Sequence, residues 1–330
     1  MRHSKSDSAA RDDVQSGLGR SSRTRVGISG WRYPGWRKKF YPEGLAQSRE
    51  LEFASNAFNS IEINGSFYSL QLPSSYQRWH SETPPGFVFS VKGPRFITHM
   101  KKLRGVKTPL ANFFASGVLA LGNKLGPVLW QLPPNFGYKK ERFAEFFDLL
   151  PRDTVEAAAL ARKHDDKLKA RVWARVDEPR RLRYAIEVRH PTFMVPEFFD
   201  LLHAYNVAFV SADTAGKWPY AEDLTADFVY VRLHGDEQLY VSGYSKRALD
   251  WWADRVRHWR MGRQPVDAKV IGIARSDRKR RDVFVYFDND AKVHAPFDAR
   301  RLADQLGVRW PPRKMAEAQA RNLVTKVHRG

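Results

Sequence analysis

A chain of 330 residues with 42% hydrophobic and 13% aromatic side chains can fill a sizeable core, which excludes a disordered protein and leaves one large domain or two average ones open. Without cysteine there are no disulfides, thiolate metal sites or cysteine nucleophile, which fits a reducing compartment. A net charge of +20 favours anionic partners, and no apolar run approaches the roughly 20 residues needed to cross a bilayer, so no membrane partner is expected.

Met1 to Arg23 is rich in Ser, Arg and Asp and lacks the apolar stretch of a secretory signal. The expectation is a disordered tail over residues 1–24 and a cytoplasmic location. Eight short apolar, β-branched or aromatic runs then read as strands: Arg25–Ser29, Ser60–Asn64, Phe87–Lys92, Pro127–Gln131, Tyr184–Val188, Ala208–Ser211, Phe228–Leu233 and Val283–Phe287. Between them, Arg49–Phe58, Pro109–Leu121, Glu141–Leu150, Pro196–Tyr205 and Lys246–Trp259 carry apolar residues at helical spacing. Pro151–Arg183, rich in Ala, Arg, Lys and Asp, reads as an elaborated helix with a solvated face.

Strand alternating with helix argues for parallel pairing, and eight units without a Gly-x-Gly-x-x-Gly turn argue for a closed TIM-like (β/α)8 barrel over an open doubly wound sheet. Two places strain this count. Only about 20 residues separate the starts of the sixth and seventh strands, short for a full crossover. Lys269–Ile273 is a further apolar run that reads as an extra strand or hairpin. With no Pro/Gly/Ser linker inside, the expectation is one domain over residues 25–306 and a basic extension over 307–330.

The excess charge is unevenly placed. Arg255 to Arg281 holds ten Lys/Arg against two Asp, and Val308 to Gly330 holds six against one Glu. Neither belongs to a strand-end pocket, and both suit nonspecific phosphate contacts of a nucleic acid. Lys92 to Lys107, with six cations and no acid, directly follows a strand and can face a substrate.

In parallel barrels, ligands bind where the strands end, and here the ends are unusually polar. They supply Glu62 and Asn64 with Tyr68 just beyond, Lys92 with His99 in its loop, Gln131, then Glu187, Arg189 and His190. Asp213, Arg232 with His234, Tyr244 beyond it, and finally Asp288 and Asn289 complete the set. These side chains are expected to share one open pocket. Period-two alternation puts Glu187 on the face of Ala185, towards the barrel mouth, where an isolated carboxylate would cost several kcal/mol unless Arg232 or Lys92 paired with it. A structural reading stands beside each functional one: strand-end Asp residues also cap helices, inward acids also form plain ion pairs, and lone histidines are more often structural. Glu62, Glu187, Asp213 and Asp288 with His234 have the oxygen and nitrogen donors of a divalent-cation site, but Lys92, Arg189 and Arg232 can neutralise the same acids, so a metal is not favoured. Trp31, in the aromatic loop Trp31 to Trp36, suits stacking on a sugar or base, or plugging the barrel end.

The ordered set Gly27-Ile28-Ser29-Gly30-Trp31, Phe40-Tyr41-Pro42, Glu62-Ile63-Asn64 with Phe67-Tyr68, Lys92 with Ile97-Thr98-His99, Leu129 to Pro134, Glu187-Val188-Arg189-His190, Ser211-Ala212-Asp213 and Arg232-Leu233-His234-Gly235 resembles the YecE-like family, domain of unknown function 72. The resemblance runs from about Arg25 to Leu306 and implies a TIM-like barrel, with no established activity to carry over. One departure is Asp288-Asn289, where the resemblance implies paired asparagines.

The leading expectation is an enzyme, such as a phosphoester or glycoside hydrolase, acting on an anionic substrate. Glu187, His234, Asp213 and Glu62 are its acid/base candidates, and Lys92 and Arg232 would stabilise negative charge. The alternative is a nucleic-acid-binding protein that uses its basic segments and keeps the barrel as a scaffold.

Overall fold

A computed structural model describes residues 23–169, 171–273 and 279–311. Its eight strands are β1 Thr24–Ser29, β2 Ser60–Ile63, β3 Val88–Lys92, β4 Leu125–Gln131, β5 Tyr184–Glu187, β6 Val207–Asp213, β7 Phe228–Leu233 and β8 Asp282–Phe287. All neighbours pair parallel, and β8 closes on β1. The closed TIM-like barrel read from the sequence is therefore the fold, and every strand lies within two residues of its expected bounds.

The outer layer is less regular. Helices α1 Glu50–Ala57, α2 Gly65–Tyr68, α3 Pro73–Glu82, α4 Lys107–Ala115, α5 Lys140–Asp148, α6 Thr154–Ala161, α7 Pro196–Tyr205, α8 Lys246–Arg260 and α9 Ala295–Gln305 surround the strands. The expected helix over Pro109–Leu121 breaks at Gly117, whose φ of 117° no helix accommodates, and continues as a 3-10 segment. Among the described residues of 151–183 there are only α6 and one 3-10 turn, not a long solvated helix. The rest is irregular chain, tied down by bonds such as Trp173 N to the Ala115 carbonyl and a bridge between Asp153 and Arg181.

Between β6 and β7 there is no helix, as the short spacing foreshadowed. Residues 264–272 cover part of that connection. Gln264 donates to the Glu222 carbonyl, and the Ile271 and Gly272 amides donate to the Asp223 carboxylate. Lys269–Ile273 is thus a strap across irregular chain and not a ninth strand.

Alternation divides the apolar residues into two cores. Outward residues such as Val26, Ile28, Phe89, Trp130 and Val231 pack against the helices, while Leu129, Ala185, Ala208, Val210, Ala212, Phe228, Tyr230, Phe284 and Tyr286 fill the lumen. The lumen is filled asymmetrically. Strands β1, β2, β3, β5 and β6 contribute small residues, and β7 and β8 send large aromatic rings across the space they leave. Tyr286 reaches Ser60 at 2.6 Å and Tyr230 reaches Ser90 at 2.6 Å. Gly27 is part of this arrangement, because a Cβ there would lie 1.8 Å from the Ser60 carbonyl oxygen on the neighbouring strand.

Gly27→Ala must therefore push β1 and β2 apart. Urea unfolding is expected to show a loss of about 1–3 kcal/mol, the usual penalty for overpacking a core. An unchanged midpoint would contradict the close approach.

A buried charge layer at the barrel mouth

The last inward positions of the strands form a polar layer above the aromatic lumen. Arg232, inward on β7, is fully buried and lies at its centre. Its Nη1 donates to Glu187 Oε2 at 2.7 Å, its Nη2 to Glu62 Oε1 at 2.9 Å and Asp288 Oδ2 at 2.8 Å, and its Nε to Glu62 Oε2 at 3.2 Å. A guanidinium keeps its charge and its planar fork in any surroundings, so these acids from β2, β5 and the end of β8 are what make its burial tolerable. Glu62 also accepts from Ser29 Oγ at 2.9 Å and Tyr230 OH at 2.6 Å. Glu187 accepts from Gln131 Nε2 at 3.2 Å and from Arg189 Nε at 2.9 Å.

Burial alone would raise the proton affinity of Glu187 and Asp288, but the cations more than offset it. Glu187, beside Arg232 and Arg189, is held well below the ordinary carboxylate range. Asp288 is held at about 2, again by Arg232 against the opposing effect of burial. At the neighbouring Asp290, burial together with the Asp288 charge lifts the carboxyl to about 6.

His234 stands directly above, with Nε2 3.3 Å from Arg232 Nη1 and Nδ1 3.1 Å from Asp288 Oδ2. Because the guanidinium can only donate, Nε2 faces it as the acceptor, which turns Nδ1 to the Asp288 side of the ring. Gly235, at φ 130°, turns the chain so sharply that a Cβ would meet the Gln238 carbonyl at 2.3 Å. The turn brings Tyr240 back edge-on over the imidazole, ring centres 5.2 Å apart, with its own backbone in the left-handed region at φ 65°.

Lys92 differs from the other cations. Its Nζ lies 4.3 Å above the centre of the Phe67 ring, and among the described residues it makes no hydrogen bond or ion pair with an acid. Burial first, then repulsion from Arg232, lowers its proton affinity to about 8. Burial and the Lys92 charge likewise lower His99, which packs edge-on to the same Phe67, to about 4. Arg189 completes the upper rim, stacked 3.7 Å above the Trp218 ring and within 3.3 Å of the Tyr240 hydroxyl.

Of the residues expected from the sequence, Glu62, Lys92, Gln131, Glu187, Arg189, Arg232, His234 and Asp288 are thus brought together, with His99 at the edge. The pocket expected to be open is instead a covered layer, since Glu62, Arg232, Glu187 and His234 are at most 1% exposed. Other candidates point elsewhere. Asp213 is an outward residue of β6, where its carboxylate accepts from the Tyr244 hydroxyl at 3.0 Å and burial raises its proton affinity. Tyr244 is buried in that same contact. Asn289 ties the chain to Asp298 at 2.9 Å. His190 caps the turn Pro191–Phe193 by accepting from Thr192 N. Trp31 is core, edge-on to Trp79 at 5.3 Å. Asn64 lies beyond the end of β2. Tyr68 is exposed and lines a groove of about 760 Å³ with Phe67, Arg95, Phe96 and Lys101, so part of the basic run after β3 does face a cavity.

Tyr230 and Ser29 were missed, although period two puts each on the inward face of its strand. Trp218 carries no such signal, because it sits in irregular chain. Among the described residues, no three His, Asp or Glu side chains are arranged to hold a metal ion. No helix among them is long and apolar enough to cross a membrane. Of the basic segment 255–281, residues 274–278 lie outside the described ones. Its two ends are not surface charge: Arg255 is buried against Glu222 at 3.0 Å, and Arg281 is buried with Nε on the Ala226 carbonyl.

Two measurements check this account. Arg232→Met strands three carboxylates and should cost about 3–5 kcal/mol at neutral pH. Glu187 and Asp288 bind protons more weakly folded than unfolded, so their stabilisation is present above about pH 4 and lost on acidification, and the Arg232→Met penalty should shrink there. Lys92 runs the opposite way. A buried amine titrating at about 8 rather than near 10.4 destabilises the fold while charged and regains that stability as pH rises between these values. Lys92→Met is therefore expected to stabilise at pH 7 by about 1–3 kcal/mol, and a destabilised variant would overturn the assignment.

Comparison with known proteins bears on the fold and the family. The profile described as "Protein of unknown function DUF72" matches residues 25–321. The UPF0759 protein YunF of Bacillus subtilis (strain 168) is 32% identical over 124 residues, 36% of this chain. The UPF0759 protein YecE of Escherichia coli (strain K12) is 29% identical over 169 residues, 51% of this chain. The matches span 43% and 49% of those relatives, less than half of their length. A crystal structure of a DUF72 family protein from Thermotoga maritima superposes with a TM-score of 0.65 at 23% identity, covering 86% of this chain and 99% of that one. A second, from Enterococcus faecalis, gives 0.62 at 14% identity, covering 87% and 96%. These structures share the fold, and the sequence profile, extending over nearly all of the barrel, shows that the chain belongs to the DUF72 family.

Proposed function

We propose that the chain is an enzyme whose barrel mouth binds an anionic small substrate, phosphorylated or sugar-containing, and that Lys92 is the group that touches it. The observation behind this reading is the Lys92 ammonium, held at a strand end over Phe67 with no carboxylate partner among the described residues. Every other cation of the layer is paired with an acid. A desolvated amine that no carboxylate contacts directly lowers stability, and a substrate anion is what would make its retention favourable. Titrating at about 8, the amine can hold negative charge when protonated and accept a proton when neutral.

The acids take a different part. Glu187 and Glu62 are saturated with donors, and Glu187 in particular holds protons too weakly to transfer them near neutral pH. They act as positioning residues that hold Arg232, Gln131 and Arg189 in place. His234 and Asp288 fix the Arg232 guanidinium from above. Asp213, outward on β6, takes no part in this reading.

The test is a broad phosphoesterase and glycosidase screen with the full chain. Lys92→Met should abolish any turnover found while the fold stays intact, a loss of at least about a hundredfold. Glu187→Gln and His234→Ala should lower it less. Unchanged turnover in Lys92→Met, or no turnover of any member of the screen, would count against the reading.

A further inference from the structure

Beside the mouth, where β2 and β3 end, lies the groove that Tyr68 lines, and the catalytic reading makes no use of it. Its walls come from α2, from residues 94–105 after β3, from the start of α4 and from residues 165–167 ahead of β5. At about 760 Å³ it falls within the size range of small-ligand sites. It sits at the carboxyl ends of the strands. The described residues begin and end at the amino ends, with Arg23 before β1 and Trp310 packed on Phe87 ahead of β3.

Two kinds of side chain face into this groove. Tyr68 is 71% exposed and Met100 66%, both unusually bare for apolar groups of their size, and Tyr68 stands edge-on to Phe67 with ring centres 5.1 Å apart. A ring and a thioether on one groove offer a surface for a flat aromatic partner. The other kind is cationic. Arg95, Lys101 and Lys167 are exposed, and among the described residues none of them makes an ion pair with a carboxylate. The Nζ atoms of Lys101 and Lys167 both stand over the Phe96 ring, 6.0 Å and 5.4 Å from its centre. The one acid in the lining, Asp165, is already engaged, accepting from Asn112 Nδ2 at 2.9 Å and from the Lys167 amide at 3.1 Å. The wall after β3 is held in a strained form. Phe96–Met100 is a π-helical turn in which the Lys101 amide donates to the Phe96 carbonyl at 2.9 Å. Lys102 and Leu103 then follow in the left-handed region, at φ 47° and 66°. Leu103 is buried with its amide on the Ile97 carbonyl at 3.0 Å, and Lys102 Nζ reaches the Asn135 carbonyl at 3.2 Å. Backbone of this kind persists only where its surroundings enforce it, and π turns are frequent at functional sites.

We propose that this groove is a second binding site, separate from the mouth, for a free nucleotide, its base against Tyr68 and Met100 and its phosphate among Arg95, Lys101 and Lys167. Each half of the lining excludes a simpler ligand. An aliphatic chain would cover the apolar side chains and leave three cations unmatched. An inorganic anion would meet the cations and leave the ring and the thioether bare. A heteroaromatic ring joined to a phosphate satisfies both, through stacking and through charge-assisted hydrogen bonds. The start of α4 and residues 165–167 close the groove on one side, which suits a single nucleotide better than a strand.

The experiment divides the ligand as the groove does. Binding of AMP, adenosine and ribose 5-phosphate to the full chain is measured by calorimetry. AMP should bind at least about tenfold more tightly than either half. Tyr68→Ala should weaken AMP about tenfold, and Tyr68→Phe, which keeps the ring, no more than about twofold. K101Q/K167Q should weaken AMP about tenfold and leave adenosine unchanged, whereas K38Q/K246Q, two exposed lysines elsewhere, should cost no more than about twofold. Lys92→Met should leave AMP binding within about twofold of the parent, because the mouth is a different site. No AMP binding by the parent chain, or full binding by Tyr68→Ala, would overturn the site. A loss in Lys92→Met as large as that in Tyr68→Ala would move the ligand to the mouth and overturn it as well. Oligothymidylate bound far more tightly than AMP by the same side chains would give the groove to a nucleic acid instead.

Discussion

A single guanidinium placed where water cannot reach sets the requirements for the upper half of this barrel. Arg232 cannot shed its proton, so the fold must bring carboxylates to it, and each of those carboxylates is tolerable only because Arg232 is there. Glu62, Glu187 and Asp288 come from separate strands or strand ends, and the cluster therefore fixes the rotation and register of β2, β5, β7 and β8 relative to one another. Such clusters contribute little net stability and much geometric definition. Asp288 stands where the family resemblance implies asparagine, and it supplies the third negative charge on the guanidinium and lies 3.1 Å from His234 Nδ1.

How much of this was legible depends on periodicity. Eight strands could be read because β-branched and aromatic runs separated by helical patterns leave few other topologies, and the inward direction of Glu187 followed from the alternation within Tyr184–Glu187. The same rule, carried along Val207–Asp213 from the inward residues Ala208, Val210 and Ala212, turns Asp213 outward, and it also turns Tyr230 inward beside Arg232. Where no period exists, nothing could be read. The stack of Arg189 on Trp218, the cover of Tyr240 over His234 and the strap of residues 264–272 all depend on irregular chain, whose path is decided by tertiary contacts and by single residues such as Gly235.

Charge tells a similar story in reverse. Composition announced a basic protein, and the long runs of Lys and Arg suggested a basic surface. Folding pairs some of those charges out of sight, as with Arg255 on Glu222, and gathers others, as at Arg25, Arg260 and Arg309, that are far apart in the sequence.

The unequal filling of the lumen has a bearing on synthesis. The small residues of β1 to β3, Gly27, Ser60 and Ser90, leave space for Tyr230 and Tyr286, which are made much later in the chain, 226 residues after Ser60 for Tyr286 and 140 after Ser90 for Tyr230. Glu62 waits likewise for Arg232, 170 positions downstream. A chain emerging from its amino terminus thus holds an empty half-barrel with an uncompensated acid at its rim until the seventh strand arrives. Contacts this distant in sequence are the ones that slow folding and leave strand edges exposed meanwhile. The last two strands complete a structure whose earlier parts are shaped around their absence.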